Sequence, residues 1–211
     1  MLIFDLETVA DASVVALLPP CEPAGNLKDP EKIAASIAER TAKRLAGLAL
    51  DPDCCRIVAL GYATPQDGVI VLTCPSEETE RAALETFWTL WAAPGSQPVG
   101  YNCVGFDLPV LIQRSRILNV VTPRISLKKY GSPDCLDLML ELSFGGLTEY
   151  KSLTFWCQRF GLAVPEDTTK GSDIGFLAAQ GDWPAVLAHC AADVTKTQAL
   201  AHRLHAERVT L

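Results

Sequence analysis

The stretch Met1-Leu2-Ile3-Phe4-Asp5-Leu6-Glu7-Thr8 sets the reading of the whole chain. Leu2, Ile3 and Phe4 form an apolar run long enough for a buried strand. Asp5 and Glu7 follow two positions apart, and residues two apart on a strand point to the same face. Two carboxylates side by side at the end of a buried strand are costly unless a cation lies between them. A pair of divalent metal ions meets that need, because hard cations take carboxylate oxygens. The competing account is two acids flanking a solvent-facing turn. The choice between them rests on whether further acids occur downstream in matching contexts.

Composition narrows the classes. A chain of 211 residues, 49% of them hydrophobic, has ample core for one domain, and residues 1–211 are read as one. No apolar run reaches the roughly 18 residues of a membrane span, and the N-terminus lacks the basic n-region of a signal peptide. The eight cysteines stand at 21, 54, 55, 74, 103, 135, 157 and 190, with no C-x-x-C pair, which argues against a zinc ribbon or a redox motif. Cysteines in apolar segments act as small hydrophobes, and a reduced cytoplasmic setting fits them. A net charge of −7 argues against a protein that coats nucleic acid through bulk positive charge. Yet Arg114, Arg116, Arg124, Lys128 and Lys129 fall within residues 113–130 without an acid among them. Such a strip suits a phosphate backbone, and equally an ordinary solvated face.

Periodicity and punctuation predict a mixed α/β order. After the first strand, residues 9–28 read as loop, with Pro19, Pro20, Pro23 and Gly25. Asp29-Pro30-Glu31 opens a helix that ends near 47–50, so that residues 9–50 form a loop plus helical excursion. Residues 56–63 and 69–72 read as a hairpin around Gln66-Asp67-Gly68. Ser76 opens a helix to about Trp91. A short strand at 98–102 leads to a helix at 108–118, a basic loop at 120–132 and a helical 135–142 that includes Asp137. A helix at 152–160, a polar loop at 165–172 and a long helix at 183–205 complete the chain.

Two further acids lie in informative places. Asp107 ends Asn102-Cys103-Val104-Gly105-Phe106-Asp107 where a strand gives way to a helix. A helix N-cap is the simpler account of it. His189 and Asp193 are four apart on the last helix and share a face, as any polar pair at that spacing does.

Together the three stretches resemble the DEDD superfamily of 3′–5′ exonucleases, which share the ribonuclease H-like fold. The nearer resemblance is to the exonucleases related to the proofreading domain of family B DNA polymerases. Further support comes from residues 28–33, Leu50-Asp51-Pro52, residues 56–61, Asp137-Leu138 and Lys170-Gly171. The resemblance covers nearly the whole chain. It implies a central mixed β-sheet flanked by helices, and a 3′–5′ exonuclease acting on single-stranded nucleic acid, DNA in preference to RNA. It also implies two divalent ions, magnesium or manganese. Asp5 would bridge them, Glu7 and Asp193 would complete one site, and Asp107 would hold the other. Asn102 and Phe106 would bind the 3′-terminal nucleotide, with core packing the alternative for Phe106. Arg114, Lys128, Lys129 and Lys170 are candidate backbone contacts, as is Arg116.

One position departs from the family. Its members orient or deprotonate the attacking water with a tyrosine four residues before the last aspartate or a histidine five before it. Here His189 is four before Asp193 and Ala188 is five before, so a histidine stands in the tyrosine register. Histidine is able to act as a base near neutral pH. The alternative function is a catalytically weak nuclease-fold module that binds nucleic-acid ends or a protein partner. With no polymerase or helicase segment in the sequence, replication, repair or defence proteins are expected as separate partners.

Overall fold

The computed structural model describes residues 1–128, 132 and 134–206. Lys129 therefore lies outside the described residues. Among these, five strands form one sheet: β1 (Leu2–Ala10), β2 (Cys55–Thr64), β3 (Gly68–Thr73), β4 (Pro98–Gly100) and β5 (Leu136–Asp137), in the order β3-β2-β1-β4-β5. β1, β2 and β3 pair antiparallel, while β4 and β5 run parallel to β1, which makes the sheet mixed. The helices are α1 (Ala12–Leu17), α2 (Pro30–Leu48), α3 (Glu77–Trp91), α4 (Asp107–Ile117), α5 (Leu138–Leu142), α6 (Leu153–Arg159), α7 (Ile174–Gln180) and α8 (Trp183–Ala206). None is long and apolar enough to cross a membrane.

The alternation of β1 divides its side chains between two layers. Leu2, Phe4 and Leu6, with Leu60 and Tyr62 of β2, pack against Leu84, Phe87 and Trp91 of α3 and Leu108 and Leu111 of α4. Phe4 meets Phe87 edge-on at 5.1 Å, a favoured aromatic geometry. Ile3, on the opposite face, joins Ala63, Val99, Val194 and Leu200 under α8. Asp5 and Glu7 share the face of Ile3, so both carboxylates project toward α8.

Small residues on β2 make room there. Ile3, Asp5 and Glu7 pair with Ala63, Gly61 and Ala59. A Cβ on Gly61 would lie 2.7 Å from both Cys190 Sγ and Val194 Cγ2. The missing side chain lets α8 settle on the strand between its two site residues, His189 and Asp193. Just beyond, the β1–β2 register shifts between Glu7 and Thr8, the kind of irregularity that re-aims a strand end.

Local chemistry explains most boundaries. Asp29 caps α2 with Pro30 in its first turn, and Ser76 forms a capping box with Thr79 at α3. Three expectations are corrected. Residues 9–28 are not all loop: β1 runs on to Ala10 because Val9 and Ala10 pair with Arg56 and Cys55, and Asp11 then caps α1 through Ser13. Asp137 is not inside a helix but is the N-cap of α5, its carboxylate accepting the amides of Met139 and Leu140. Between the polar loop and α8 lies α7, held by the burial of Ile174 against Val58, Val186 and Cys190.

Candidate active site

Five side chains from three elements converge at one end of β1. Asp5 and Glu7 come from the strand, Asp107 from the first turn of α4, and His189 and Asp193 from one face of α8. The carboxylates of Asp5 and Glu7 and the thiol of Cys190 offer ligand atoms within 4.8 Å of one another, as do Asp167, His189 and Asp193. His189 Nε2 lies 3.7 Å from Glu7 Oε1.

Asp107 is not the N-cap of α4. Phe106 holds that place without a side-chain bond, and Asp107 is the first helical residue, 5% exposed. The loop before it is fixed from below by Asp137, whose carboxylate accepts the amides of Asn102 and Val104, each at 3.0 Å. Asn102 adopts φ 59°, a left-handed conformation that asparagine tolerates. Gly105 follows because a Cβ there would lie 2.7 Å from Asn102 Oδ1.

Burial and neighbouring acids raise the carboxylates of the site. Burial, then Asp107, Glu7 and Asp193, push Asp5 well above the usual carboxylate range. Burial, then Asp193 and Asp107, do the same to Glu7. Burial carries Asp107 up to about 7, although its own amide and that of Leu6 draw it down. Burial also raises Asp137 despite four backbone donors.

Two site residues escaped the sequence reading. Asp167 Oδ2 lies 2.5 Å from His189 Nδ1. Lys196 Nζ bonds Asp193 Oδ1 at 2.7 Å and approaches Asp167 Oδ2 at 3.8 Å. Lys196 did leave a signal, since 189, 193 and 196 follow the i, i+4, i+7 stripe of one helix face. Asp167 left none, because its loop carries no periodicity.

Glu7, alone of the five, lines a cleft of about 1020 Å³ whose walls also include Val9, Leu45, Phe106, Gly171 and Trp183. Phe106 is half-buried, contributing to this wall and also packing against the core. Lys170 is exposed beside Gly171 and Ser172 at the cleft's edge, and Lys128 and Arg116 are exposed. Arg114 does not fit the basic strip. It is fully buried, with Nε and Nη2 on Glu80 and Nη1 on Asp11 at 2.6–2.8 Å. No donor group of that fork faces solvent, so it is unable to touch a phosphate backbone.

Residues 50–211 match a family described as predicted 3′–5′ exonucleases related to the exonuclease domain of PolB. The chain belongs to this family. The match takes in Asp107, His189 and Asp193, while Asp5 and Glu7 lie before it. The fold of this exonuclease-family chain is similar to that of the family B DNA polymerase from the hyperthermophilic archaeon Pyrobaculum calidifontis. The TM-score is 0.62 at 18% identity, over 97% of this chain and 24% of the polymerase. The chain thus spans about a quarter of that polymerase's length. Its mixed five-stranded sheet with flanking helices is ribonuclease H-like. No curated protein matches the chain.

Proposed function

We propose that the protein is a metal-dependent 3′–5′ exonuclease that hydrolyses phosphodiester bonds from the 3′ end of single-stranded nucleic acid, DNA in preference to RNA. The observation that carries this reading is the convergence of Asp5, Glu7, Asp107 and Asp193 with His189, with Asp5 and Glu7 raised by burial and by the neighbouring acids and Asp107 raised by burial. The donor set is one of hard oxygens, which suits magnesium or manganese. Asp5, Glu7, Asp107 and Asp193 would hold the ions. When bound, such ions supply Lewis-acid charge that activates water and neutralises charge developing on the phosphate and leaving oxygen.

The protein's own groups do the remaining work. His189 Nε2, facing Glu7, takes the proton of the attacking water. Phe106 offers an aromatic face on the cleft wall, where stacking is tolerant of base identity. Asn102 holds the loop beside it. Lys170 and Lys128, both exposed, are the backbone contacts of this reading. The eight free thiols support a reducing, cytoplasmic setting. Replication, repair or defence proteins would act as separate partners. One observation favours the alternative of an end-binding module with weak hydrolysis: Lys196 already holds Asp193, cancelling part of the charge that attracts a metal.

The test is digestion of a 5′-labelled single-stranded DNA oligonucleotide and its RNA counterpart with magnesium, manganese or EDTA. A ladder shortening from the 3′ end, absent in EDTA, is expected. Retention of the oligonucleotide with no product in any metal establishes the end-binding module instead.

Stability without metal should fall as pH rises. Asp107 titrates at about 7 in the folded chain against 3.8 unfolded, and Asp5 and Glu7 move the same way. Between those limits the folded state binds more protons, so raising the pH destabilises it. Asp11 and Asp167 are lowered and act oppositely, but only below their unfolded value of 3.8. In EDTA the Tm is therefore expected to be several degrees lower near pH 8 than near pH 5, from about 1.4 kcal/mol per shifted unit. Manganese should raise it most at the higher pH. A flat profile in EDTA means the carboxylates are not confined together.

A further inference from the structure

The histidine in the tyrosine register leaves an open question of aim. A tyrosine presents one oxygen, whereas an imidazole has two nitrogens and needs a partner to decide which one carries the proton. The fold supplies that partner from a loop 22 residues upstream of His189. Asp167 Oδ2 lies 2.5 Å from Nδ1, while Nε2 points the other way, 3.7 Å from Glu7 Oε1. Both side chains are about nine-tenths buried. The second oxygen of Asp167 is also committed, accepting the amide of Thr169 at 3.0 Å. Lys196 stands 3.8 Å from Oδ2 and bonds Asp193, so the ammonium ties the dyad to the catalytic carboxylate.

We propose that Asp167 is a positioning residue that holds His189 as the Nδ1–H tautomer, leaving the Nε2 lone pair on the side of Glu7. An ionised carboxylate only accepts hydrogen bonds, so Nδ1 must donate. This rests on the exonuclease reading for its chemical purpose. In that reaction the water oxygen forms a bond to phosphorus and its proton passes to Nε2. The bond from phosphorus to the 3′ oxygen breaks, releasing a nucleoside 5′-monophosphate, and the departing oxygen takes a proton from solvent. The imidazolium formed on His189 is then balanced by Asp167. The burial that raises Asp167 is outweighed by the His189 and Thr169 hydrogen bonds, with Lys196 adding to the effect, and the carboxyl is held below its usual range. It is therefore ionised when needed. The groups facing the imidazole are Glu7 of β1, Asp167 of the loop, and Asp193 and Lys196 of α8.

The decisive variant is Asp167→Asn. Its oxygen remains on the Thr169 amide, so its NH2 group replaces Oδ2 and donates to Nδ1. That forces the proton onto Nε2 and removes the base without removing the ring. The tautomer is read directly by long-range ¹⁵N–¹H NMR of histidine-labelled protein near pH 8. With three histidines in the chain, His189→Ala assigns the signal. The expected result is Nδ1–H in the wild type and Nε2–H in Asp167→Asn. Single-turnover rates should fall on the order of 10²-fold in Asp167→Asn, with oligonucleotide Kd unchanged. The fall should match that of His189→Ala, with no further loss in the double variant.

An Nε2–H or doubly protonated His189 in the wild type overturns the proposal, as does an Asp167→Asn enzyme with unchanged rate. If Asp167→Asn fails to fold, the wild-type tautomer decides alone. If the wild type yields no ladder, the exonuclease reading fails while the tautomer still decides the dyad.

Discussion

Asp5→Asn is expected to lower the exonuclease rate on the order of 10³-fold or more while leaving the protein folded. Asparagine keeps the shape of the side chain and removes its charge. Asp5 is the acid on which the other three act, since Asp107, Glu7 and Asp193 all raise it. In EDTA the variant should be at least as stable as the wild type at neutral pH, because a confined carboxylate has been neutralised. The same substitution should cut the rise in Tm that manganese produces, since a neutral amide is a poor ligand for a hard cation. Activity and thermal shift are thus separate readouts of one carboxylate. An enzyme that keeps a tenth of its rate, or a thermal shift of full size, places the chemistry elsewhere.

Arg114→Met is expected to cost about 3–5 kcal/mol of stability, the usual result of removing one partner from a buried ion cluster. Arg114 and Glu80 side chains are 0% exposed, and Asp11 is 9% exposed. The cluster ties together three pieces of the fold. Glu80 of α3 also accepts the Ile57 amide of β2, and Asp11 caps α1 directly after β1. Without the guanidinium, two carboxylates face each other with little water. A folded domain is stable by only roughly 5–15 kcal/mol, so the loss is a large part of the total. Urea unfolding measures it. The folded fraction should bind oligonucleotide with unchanged Kd, whereas a backbone contact predicts weaker binding at undiminished stability. Replacing Arg114, Glu80 and Asp11 together by neutral residues should restore only part of the loss, because the Ile57 and Ser13 amides also lose their acceptor.

Arg114 shows where reading along the chain stops. Its bonded partners lie 34 and 103 positions away, so no local window reveals that it is paired. Five bases without an acid resemble a surface strip, yet one of them is the largest fully buried side chain. Asp167 escaped for the same reason, lying in an aperiodic loop brought to α8 only by folding. The end of β1 escaped more narrowly. Its continuation to Ala10 depends on Arg56 and Cys55 of β2 as pairing partners.

What the amino-acid order set out was the main strand and helix periods and several of the caps. The apolar run into Asp5 and Glu7 placed two carboxylates on one strand face. Asp29 and Ser76 marked helix starts, and the four-residue spacing of His189 and Asp193 put both on one side of α8. Folding added the relations between distant segments: the approach of α8 at Gly61, the Asp137 support beneath the Asp107 loop, the burial of Arg114, and the Asp167–His189 contact. The division has a physical cause. Strand alternation and helix periodicity are short-range consequences of backbone geometry. Burial and charge pairing depend on which surfaces meet, and that is known only once the chain has packed.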